Sequence, residues 1–392
     1  MSPAVEYDPF DWSVQRDPYP LYRRMRDEAP AYHNERLGFW ALSRYADVMD
    51  ATLDWETWSS ASGVTVEGEV DFPIMISMDP PRHTRHRNLV SRAFTKRRVA
   101  ELEPVVRELA VRALDPFVGQ RRLDFVSDFA ARLPMDVISH MLGIPPEDRD
   151  AVRGWSNALL EREEKSALRP AASREAEACL ADYFRRTIRR LRGRPESGLM
   201  SALLAAELQD EEGTQRLSEP EILGFCILLA AAGNETVTRL LGSSVLALSR
   251  FPGERARLVA DPGLGPAAVE ELLRYDPPSH YQGRTATRDA LVHGERIPKG
   301  ARVLLMTGAA CRDEREYPDP DRLLLGRPIE RQIAFGYGHH ICLGASLARL
   351  EMRVSLEELH RRFPDYEVEE SGLELAHSSN VRGYSRVPLR FG

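Results

Sequence analysis

The sequence is organised around one glycine-rich stretch near its C-terminal end, Phe335-Gly336-Tyr337-Gly338-His339-His340-Ile341-Cys342-Leu343-Gly344. A long helical pattern, Ala345 to Arg361, follows it directly. The glycines permit a tight turn that presents the sulfur of Cys342 just ahead of a helix N-terminus. The positive end of the helix dipole and its free N–H groups favour a thiolate there. Such a thiolate is a soft metal ligand or a nucleophile, and this stretch alone does not distinguish the two.

The bulk composition predicts a globular, core-forming protein. The chain has 392 residues, of which 43% are hydrophobic and 29% are charged, and its net charge of −7 argues against a general nucleic-acid binder. The four cysteines are widely spaced and form no Cys-x-x-Cys pair, which excludes a disulfide framework or a zinc ribbon and suits a reducing cytoplasm. The acidic N-terminus lacks the apolar core of a signal peptide. The longest apolar run, Ile222 to Gly233, is shorter than the roughly 20 residues that span a bilayer, so we expect a cytoplasmic protein without a membrane anchor.

Hydrophobic periodicity predicts a mainly α-helical protein with small β-sheets (an α+β fold), because residues 101–250 are almost entirely helical in period. We expect one domain over residues 1–392. Its helix-rich core covers about 78–275 and 343–361, and its small β-rich parts cover about 35–60, 283–305 and 366–392. Segments 61–77 and 207–217 have weak periodicity and are predicted to be loops.

One predicted helix is long enough to cross the whole domain. Ser218 and Glu221 fit a capping box and Pro220 fits the first turn, and no break follows before Phe251. The first half of this helix is apolar on nearly every face, so we expect it to be buried.

The middle of that helix, Ala231 to Thr238, contains polar residues that are costly to bury unless something uses them. Gly233 costs about 1 kcal/mol relative to alanine in a helix interior, and it lets another group approach the backbone. Two structural alternatives stay open here. Gly233 could pack against a neighbouring helix, and Thr236 could bond a carbonyl one turn back. Asn234 could face a pocket or a neighbouring helix.

Two further clusters are ambiguous when taken alone. Between Arg82 and Arg98 there are seven basic residues and no acid, which indicates either a solvated helix face or a site for anionic groups. His83 and Arg87 are four residues apart and share one face of the predicted helix. Glu271 and Arg274 form an i, i+3 pair, a spacing that is common in weak surface salt bridges.

Taken together, these stretches resemble the cytochrome P450 family. Residues 335–344 match its haem-binding loop, Phe-Gly-x-Gly-x-His-x-Cys-x-Gly, at the usual place near the C-terminus. Three more stretches match in the family's order: Ala232-Gly233-x-Glu235-Thr236, Glu271-x-x-Arg274 and Asp79-Pro80-Pro81-x-His83-x-x-x-Arg87. The resemblance covers essentially the whole chain. Within the family, the chain is similar to the soluble bacterial members. It implies the cytochrome P450 fold, with haem between the long central helix and the cysteine loop.

The resemblance implies a role for each matching residue. Cys342 would be the axial ligand of the iron of haem b, and its thiolate would favour O–O cleavage. The haem propionates would be held by His83, Arg87, Arg284 and His340. The remaining cofactor contacts would come from Ala232, Gly233, Phe335, Gly336 and Gly344. Glu235 and Thr236 would relay the protons that oxygen activation consumes, although Val237 stands where many members have a second threonine. Glu271 and Arg274, joined by Arg322, would brace the haem loop.

By the same match, the substrate pocket draws on four segments: the 61–77 loop, the helix around Leu228 to Thr236, Ser279-His280-Tyr281-Gln282 and Ser378-Ser379-Asn380. Its candidate residues are Leu228, Ala232, His280, Tyr281 and Asn380. This mixture of apolar and hydrogen-bonding groups suits a mid-sized hydrophobic molecule such as a steroid, terpenoid, polyketide or aromatic compound. Electrons would have to come from outside, because the chain has no flavin-binding or iron–sulfur pattern. We expect NAD(P)H-derived electrons from a ferredoxin and its reductase, with the ferredoxin docking near Arg82–Arg98, and O2 as co-substrate.

Three other functions compete with oxygen insertion. A zinc site built on His339, His340 and Cys342 lacks a second ligand cluster in the sequence. A nucleophilic Cys342 leaves Glu235 and Thr236 unexplained. A haem-thiolate protein for ligand binding, sensing, peroxide-driven, isomerase or dehydratase chemistry is the alternative that the acid–threonine pair argues against.

Overall fold

The computed structural model describes residues 5–66, 74–91, 94–161, 163, 170–196, 198–210 and 213–392. The helices are α1 (Trp12–Arg16), α2 (Tyr19–Glu28), α3 (Tyr45–Leu53), α4 (Arg82–Ser91), α5 (Lys96–Glu101), α6 (Glu103–Leu114), α7 (Leu133–Leu142), α8 (Arg149–Leu160), α9 (Ala171–Gly193), α10 (Leu199–Leu204), α11 (Glu219–Arg250), α12 (Pro252–Ala260), α13 (Gly265–Tyr275), α14 (Thr307–Ala310) and α15 (Ala345–Arg362). The strands are β1 (Ala31–Asn34), β2 (Phe39–Leu42), β3 (Trp58–Ser59), β4 (Arg122–Asp124), β5 (Glu207–Asp210), β6 (Gly213–Arg216), β7 (Gln282–Ala286), β8 (Ala290–Val292), β9 (Glu295–Ile297), β10 (Arg302–Leu305), β11 (Glu367–Val368), β12 (Glu374–Leu375), β13 (Tyr384–Arg386) and β14 (Pro388–Arg390). The predicted fold class, mainly helical with small sheets, is confirmed.

Helix α11 is the axis of the fold. Its capping box forms as predicted, because Ser218 N donates to Glu221 Oε2 at 2.8 Å and Glu221 N donates to Ser218 Oγ at 3.4 Å. Its 32 residues extend about 48 Å at 1.5 Å per residue. Helices α7, α8, α9, α13 and α15 all pack against it. Within the described ranges it is the one helix long and apolar enough to cross a membrane, but 72% of its most apolar stretch is buried inside the protein, as expected for a core helix.

The sheets are small and lie beside the helical core. The largest has the strand order β1-β2-β10-β7-β3, in which β2 and β10 are parallel and the other pairs are antiparallel. Strand β14 lies between β11 and β4, so the last strand of the chain pairs with β4, which is distant from it in the sequence. The pairing of β7 with β10 places Arg284 opposite Val303 and thereby fixes one side chain of the predicted haem site.

The loop prediction for 207–217 was wrong, because this segment forms the antiparallel hairpin β5–β6. The strands are polar and short, so no alternation of buried and exposed residues could reveal them. The hairpin lies against α4, where Arg85 donates hydrogen bonds to Gln215 Oε1 at 3.3 Å and to the carbonyl of Arg216. Arg85 also pairs with Glu221 at 3.0 Å, so its charge is used inside the fold. Of the predicted 61–77 loop, residues 67–73 lie outside the described part of the chain.

The pair Glu271–Arg274 is a buried structural interaction and not a surface salt bridge. Both side chains are fully inaccessible, and two hydrogen bonds of 2.7 and 2.8 Å join them. Arg274 also donates to the carbonyls of Cys311 and Pro320 at 3.0 and 2.9 Å. This carboxylate and guanidinium therefore hold the segment that leads to the cysteine loop against α13.

The third member of this network is Arg327, and the assignment to Arg322 was wrong. Arg327 Nε lies 3.2 Å from Glu271 Oε1, whereas the side chain of Arg322 is exposed. Arg322 contributes only its carbonyl, which accepts from Arg274 at 3.3 Å and from Arg327 at 3.1 Å. The bend of this segment decides which arginine points inward, and sequence spacing does not reveal it.

This network predicts unequal effects of two alanine substitutions. Arg327→Ala should lower the free energy of unfolding by about 2 kcal/mol, the scale of a lost hydrogen bond to a buried charge. Arg322→Ala should change it by less than about 0.5 kcal/mol, because the backbone carbonyl that does the bonding is retained. Equilibrium urea unfolding followed by circular dichroism compares the two variants. Equal losses would contradict the assignment.

Candidate active site

The cysteine loop takes the tight form that its glycines predict. Gly336 and Gly338 adopt φ angles of 68° and 65°, in the left-handed region that favours glycine. A Cβ on Gly338 would lie 3.3 Å from the carbonyl of Thr52 and 3.2 Å from the side chain of Leu53. Cys342 N donates to the carbonyl of Phe335 at 2.8 Å, and α15 begins three residues after the cysteine. The loop therefore presents the sulfur at the N-terminus of α15.

Cys342 has accessible surface, although protein atoms surround its sulfur. The space beside this side chain is called the recess below. Burial raises the pKa of its thiol above the ordinary value, and the Gly344 and Ala345 N–H groups, with Arg87, oppose that rise. The dipole alone therefore does not make a thiolate, because burial outweighs it. A nucleophilic cysteine needs a lowered pKa, whereas a metal ion deprotonates a coordinating thiol outright. The raised pKa argues against a nucleophilic Cys342 and is compatible with a metal ligand.

Four basic side chains converge beside this loop from three distant segments of the chain: His83 and Arg87 on α4, Arg284 on β7 and His340 in the cysteine loop. The rings of His83 and His340 lie 4.3 Å apart, centroid to centroid. Both ring nitrogens of His83, and Nε2 of His340, are buried without a hydrogen-bond partner in the described part of the chain. The Arg284 side chain donates at 2.7 Å to the neighbouring carbonyl of Gly283.

Burial, together with neighbouring basic groups, lowers the pKa values in this cluster. Burial, then Arg87, lowers the pKa of His83 to about 4. Burial, then Arg284, lowers the pKa of His340 to about 2. Burial also lowers the pKa of Arg284 to about 10, against which Asp79 acts weakly. Asp79 is occupied elsewhere, since it accepts from Ser59 and from the N–H of Ser60. Basic groups crowded in this way fit a ligand that carries two carboxylates, as haem does.

Helix α11, which the family resemblance places across the recess from Cys342, stays helical through its polar centre. Thr236 Oγ1 donates to the carbonyl of Ala232 at 2.8 Å, which is the back-bond considered from the sequence, and both residues are at least partly accessible. The carboxylate of Glu235 lies on the buried side of the helix, where its Oε1 is 3.4 Å from Arg239 Nη2. Glu235 and Thr236 therefore stand on adjacent faces of the helix.

Three neighbours of this pair have packing roles. A Cβ on Gly233 would lie 3.0 Å from Ile138 Cδ1, so Gly233 permits a close approach to α7, which is the packing alternative considered from the sequence. Its assignment as a haem contact stays a prediction. Asn234 is buried and donates from Nδ2 to Asn157 Oδ1 on α8 at 3.1 Å, so it faces a neighbouring helix. Val237 is buried in the core and does not face the recess.

The predicted substrate pocket needs two corrections. His280 is 1% exposed, and its Nδ1 is 2.9 Å from the hydroxyl of Tyr22. Tyr281 is fully buried in a separate core cluster that includes Tyr22. Both residues were assigned to the pocket wrongly, because the segment after Pro278 packs inward against α2. The other candidates, Leu228, Ala232 and Asn380, have accessible side chains.

A separate cavity of about 420 Å³ lies between α2 and the C-terminal ends of α11 and α13. None of the predicted site residues lines it. Its buried arginines are already paired, Arg312 with Asp321 at 2.9 Å and Arg382 with Asp276 at 2.8 Å. It is therefore distinct from the candidate site. No cluster of three or more His, Cys, Asp or Glu side chains able to hold a bare metal ion occurs among the described residues, which leaves the zinc alternative without a ligand set.

Two residues of this region escaped the sequence interpretation. Arg349 lies over the ring of Phe335, 4.5 Å from its centroid. Its charge also opposes the rise that burial causes in the pKa of the Cys342 thiol. Arg239 holds Glu235, and its i, i+4 spacing from that acid was a signal present in the sequence. The position of Arg349 carried no such signal, because only the fold of the loop brings Phe335 to it.

Comparison with known proteins agrees with this geometry. The family model described as Cytochrome P450 matches residues 264–375. Cytochrome P450 130 of Mycobacterium tuberculosis is 40% identical over 388 residues, which cover 95% of this chain and 95% of that protein. The vitamin D(3) 25-hydroxylase of Pseudonocardia autotrophica is 38% identical over 402 residues, covering 99% of this chain and 97% of that protein.

A solved structure extends the likeness to the fold. CYP109E1 from Bacillus megaterium, in complex with testosterone, has a TM-score of 0.89 and 30% identity, covering 97% of this chain and 99% of that chain. Sequence and structure thus agree over almost the full length, including the cysteine loop and the central helix. The chain belongs to the cytochrome P450 family, whose members bind haem iron and act as monooxygenases.

Proposed function

We propose that this cytochrome P450 inserts oxygen into a mid-sized hydrophobic molecule, with haem b held by Cys342 and by the cluster His83, Arg87, Arg284 and His340. The observation that carries the proposal is that cluster, in which the His83 and His340 rings lie 4.3 Å apart and their buried nitrogens have no hydrogen-bond partner among the described residues. Such donors and the two nearby arginines suit the carboxylates of haem. When bound, the haem supplies an iron centre that activates O2 with two external electrons. Phe335, Gly336 and Gly344 would lie on the cysteine side of the haem, and Ala232 on the side of α11.

Oxygen insertion places one oxygen atom in the substrate and releases the other as water, which consumes two electrons and two protons. Glu235 and Thr236 are suited to move those protons. Thr236 is partly accessible, and the neighbouring Glu235 carboxylate lies on the buried side of the same helix turn. A hydroxyl next to a carboxylate can pass protons through water while the recess stays otherwise dry.

The proposed substrate is steroid-like in size and polarity. His280 and Tyr281 are buried in the core, so the candidate wall keeps Leu228 and Ala232. Its accessible polar side chains include Thr236, Ser279, Gln282 and Asn380. Such a wall suits a large apolar skeleton with few oxygens. The vitamin D(3) hydroxylase and the testosterone complex among the similar proteins support the same class.

The proposed electron donor is an acidic ferredoxin with its NAD(P)H-dependent reductase, in the cytoplasm. Within Arg82–Arg98, Arg85 is engaged by the hairpin, Arg87 belongs to the basic cluster, and Arg97 pairs with Glu101 at 3.1 Å. Arg92 lies outside the described residues. The exposed arginines left for docking are Arg82 and Arg98. We therefore narrow the predicted docking surface to these two, where a charged partner would be steered by opposite charge.

Replacing a cluster arginine should separate haem affinity from protein stability. Arg284→Ala should weaken haem binding by about 1.5–3 kcal/mol, the scale of a hydrogen bond to a charged group. The haem-free protein should not be destabilised, because the buried cation it loses has no counter-charge. Haem titration, the carbon monoxide difference spectrum and urea unfolding measure these quantities. Arg288→Ala is the control, since that arginine is 64% exposed. Unchanged haem affinity in Arg284→Ala would contradict the proposal.

Thr236→Ala should keep haem binding and the thiolate-type carbon monoxide spectrum but divert electrons from product to hydrogen peroxide. Loss of a positioned proton donor lowers product formation by roughly 10²-fold or more. Product, NAD(P)H and peroxide are measured together, with a steroid selected by spectral titration. If the mutant forms as much product per NAD(P)H consumed as the wild type, Thr236 is not part of the relay. A wild type with the spectrum but no oxidation of any substrate would favour a binding or sensing role.

Electron transfer from the ferredoxin should slow as ionic strength rises, because salt screens charges on the docking surface. Arg82→Glu and Arg98→Glu should slow it further at low salt and flatten the salt dependence. Arg186→Glu on α9 provides a charge-matched control, since Arg186 is equally an exposed arginine. Stopped-flow reduction in the presence of carbon monoxide measures the rate. If the rate depends neither on salt nor on Arg82→Glu and Arg98→Glu, the docking surface lies elsewhere.

A further inference from the structure

The acid of the proposed proton relay is held by a partner on its own helix. Glu235 Oε1 and Arg239 Nη2 lie 3.4 Å apart, one turn along α11. The two side chains are only 10% and 16% exposed. Intrahelical pairs in water are weak and mobile, but removal from solvent strengthens the attraction between the charges. This pair therefore restrains the carboxylate more than a surface pair would.

Arg239 is itself fixed from outside the helix. Its Nη1 donates to the carbonyl of Tyr384, the first residue of β13, at 2.8 Å. One guanidinium nitrogen, Nη1, thus bonds the strand, and the other, Nη2, lies beside Glu235. Arg239 cannot follow Glu235 through a rotamer change without breaking its bond to the strand, so the strand sets where the carboxylate rests.

The approach of this strand depends on a glycine at one position. Gly383 has φ +155°, and a Cβ there would lie 2.4 Å from Cβ of Arg239 and 3.0 Å from its Cα. Only a residue without a side chain lets the chain before β13 come this close to α11. The contact falls on Arg239 and brings the Tyr384 carbonyl within its reach, so Gly383, Tyr384 and Arg239 form one bracing unit.

This unit acts on the helix turn that carries the proposed relay. Glu235 precedes Thr236, whose hydroxyl donates to the carbonyl of Ala232 and which is partly accessible. A carboxylate beside such a hydroxyl can pass on a proton taken from solvent. A carboxylate left unrestrained would rotate among several positions, few of them within reach of a water bound to Thr236.

We propose that Arg239, anchored by Tyr384 and Gly383, is the positioning residue that holds Glu235 for proton delivery. The inference rests on the proposed role of Glu235 and Thr236. Arg239 acts through Glu235 and carries no proton itself.

The test uses the haem-loaded, full-length enzyme with Arg239→Gln, Arg239→Lys, Glu235→Gln and the double variant Arg239→Gln/Glu235→Gln. The probe substrate is testosterone, or another steroid that the wild type oxidises. With O2 and NAD(P)H, Arg239→Gln should lower product per electron pair by roughly tenfold, part of the 10²–10⁴ that a positioned proton-transfer group supplies. Arg239→Lys should recover most of that loss. In the double variant, Arg239→Gln should add nothing to Glu235→Gln.

Two readouts separate positioning from general damage. Hydrogen peroxide brings both electrons and both protons with the oxygen, so peroxide-driven oxidation should be unchanged in Arg239→Gln. The steroid binding spectrum and the urea unfolding midpoint should stay close to those of Arg250→Gln. That control lies on the same helix, and its arginine pairs at the surface with Glu370 at 2.9 Å.

Failure of this inference is distinguishable from failure of the proposed relay. If Glu235→Gln keeps full coupling, Glu235 does not deliver protons, and both the relay and the role of Arg239 fall. If Glu235→Gln loses coupling while Arg239→Gln does not, the relay stands and the positioning role is wrong. The positioning role is also wrong if the two losses multiply in the double variant, or if peroxide-driven oxidation falls equally in Arg239→Gln.

Discussion

The burial of four basic side chains beside Cys342, with no ion pair to an acid among the described residues, is the constraint on which the rest of the structure depends. His83 and Arg284 are buried, and Arg87 and His340 are half-buried with them. Within the described residues their nearest acid, Asp79, is engaged by Ser59 and Ser60. Basic groups are costly to bury without acidic partners, so the elements that carry them must be held together by other interactions. The proposed haem-binding cluster is therefore assembled at a cost to the fold.

Interactions in the surrounding fold hold the elements of the cluster in place. The carboxylate of Glu271 binds Arg274, Arg327 and the N–H of Leu324 at once, and it thereby fixes the segment leading into the cysteine loop. The pairing of β7 with β10 places Arg284, and the hairpin β5–β6 holds α4 through Arg85. Each of the three elements that bring a basic group to the cluster is thus restrained by contacts that are themselves satisfied.

The central helix follows a similar principle on the other side of the recess. Its capping box and apolar surface bury it, and its polar residues each have a defined contact: Asn234 with Asn157, Thr236 with the carbonyl of Ala232, and Glu235 with Arg239. The last of these links the helix to β13. In this arrangement the group proposed to move protons is positioned by a strand that is far away in the sequence.

Sequence reasoning reached the parts of this protein that local chemistry determines. The turn formed by the glycines of 335–344, the start of α11 at Ser218 and the mainly helical class follow from backbone conformation, capping and periodicity, which act over a few residues. The four basic residues could be named because family resemblance joined distant stretches, while their spacing alone left a solvated helix face equally open.

Tertiary structure decided what depends on direction in space. It chose Arg327 over Arg322, turned His280 and Tyr281 into the core, turned Gly233 toward Ile138, and paired two polar segments as a hairpin. In each case the residue types suited both outcomes, and the bend or packing of a whole segment selected one. The sequence by itself thus determined the chemistry available near Cys342 and on α11. Only the folded chain decided which side chains face the recess, because orientation depends on contacts between elements that are distant along the chain.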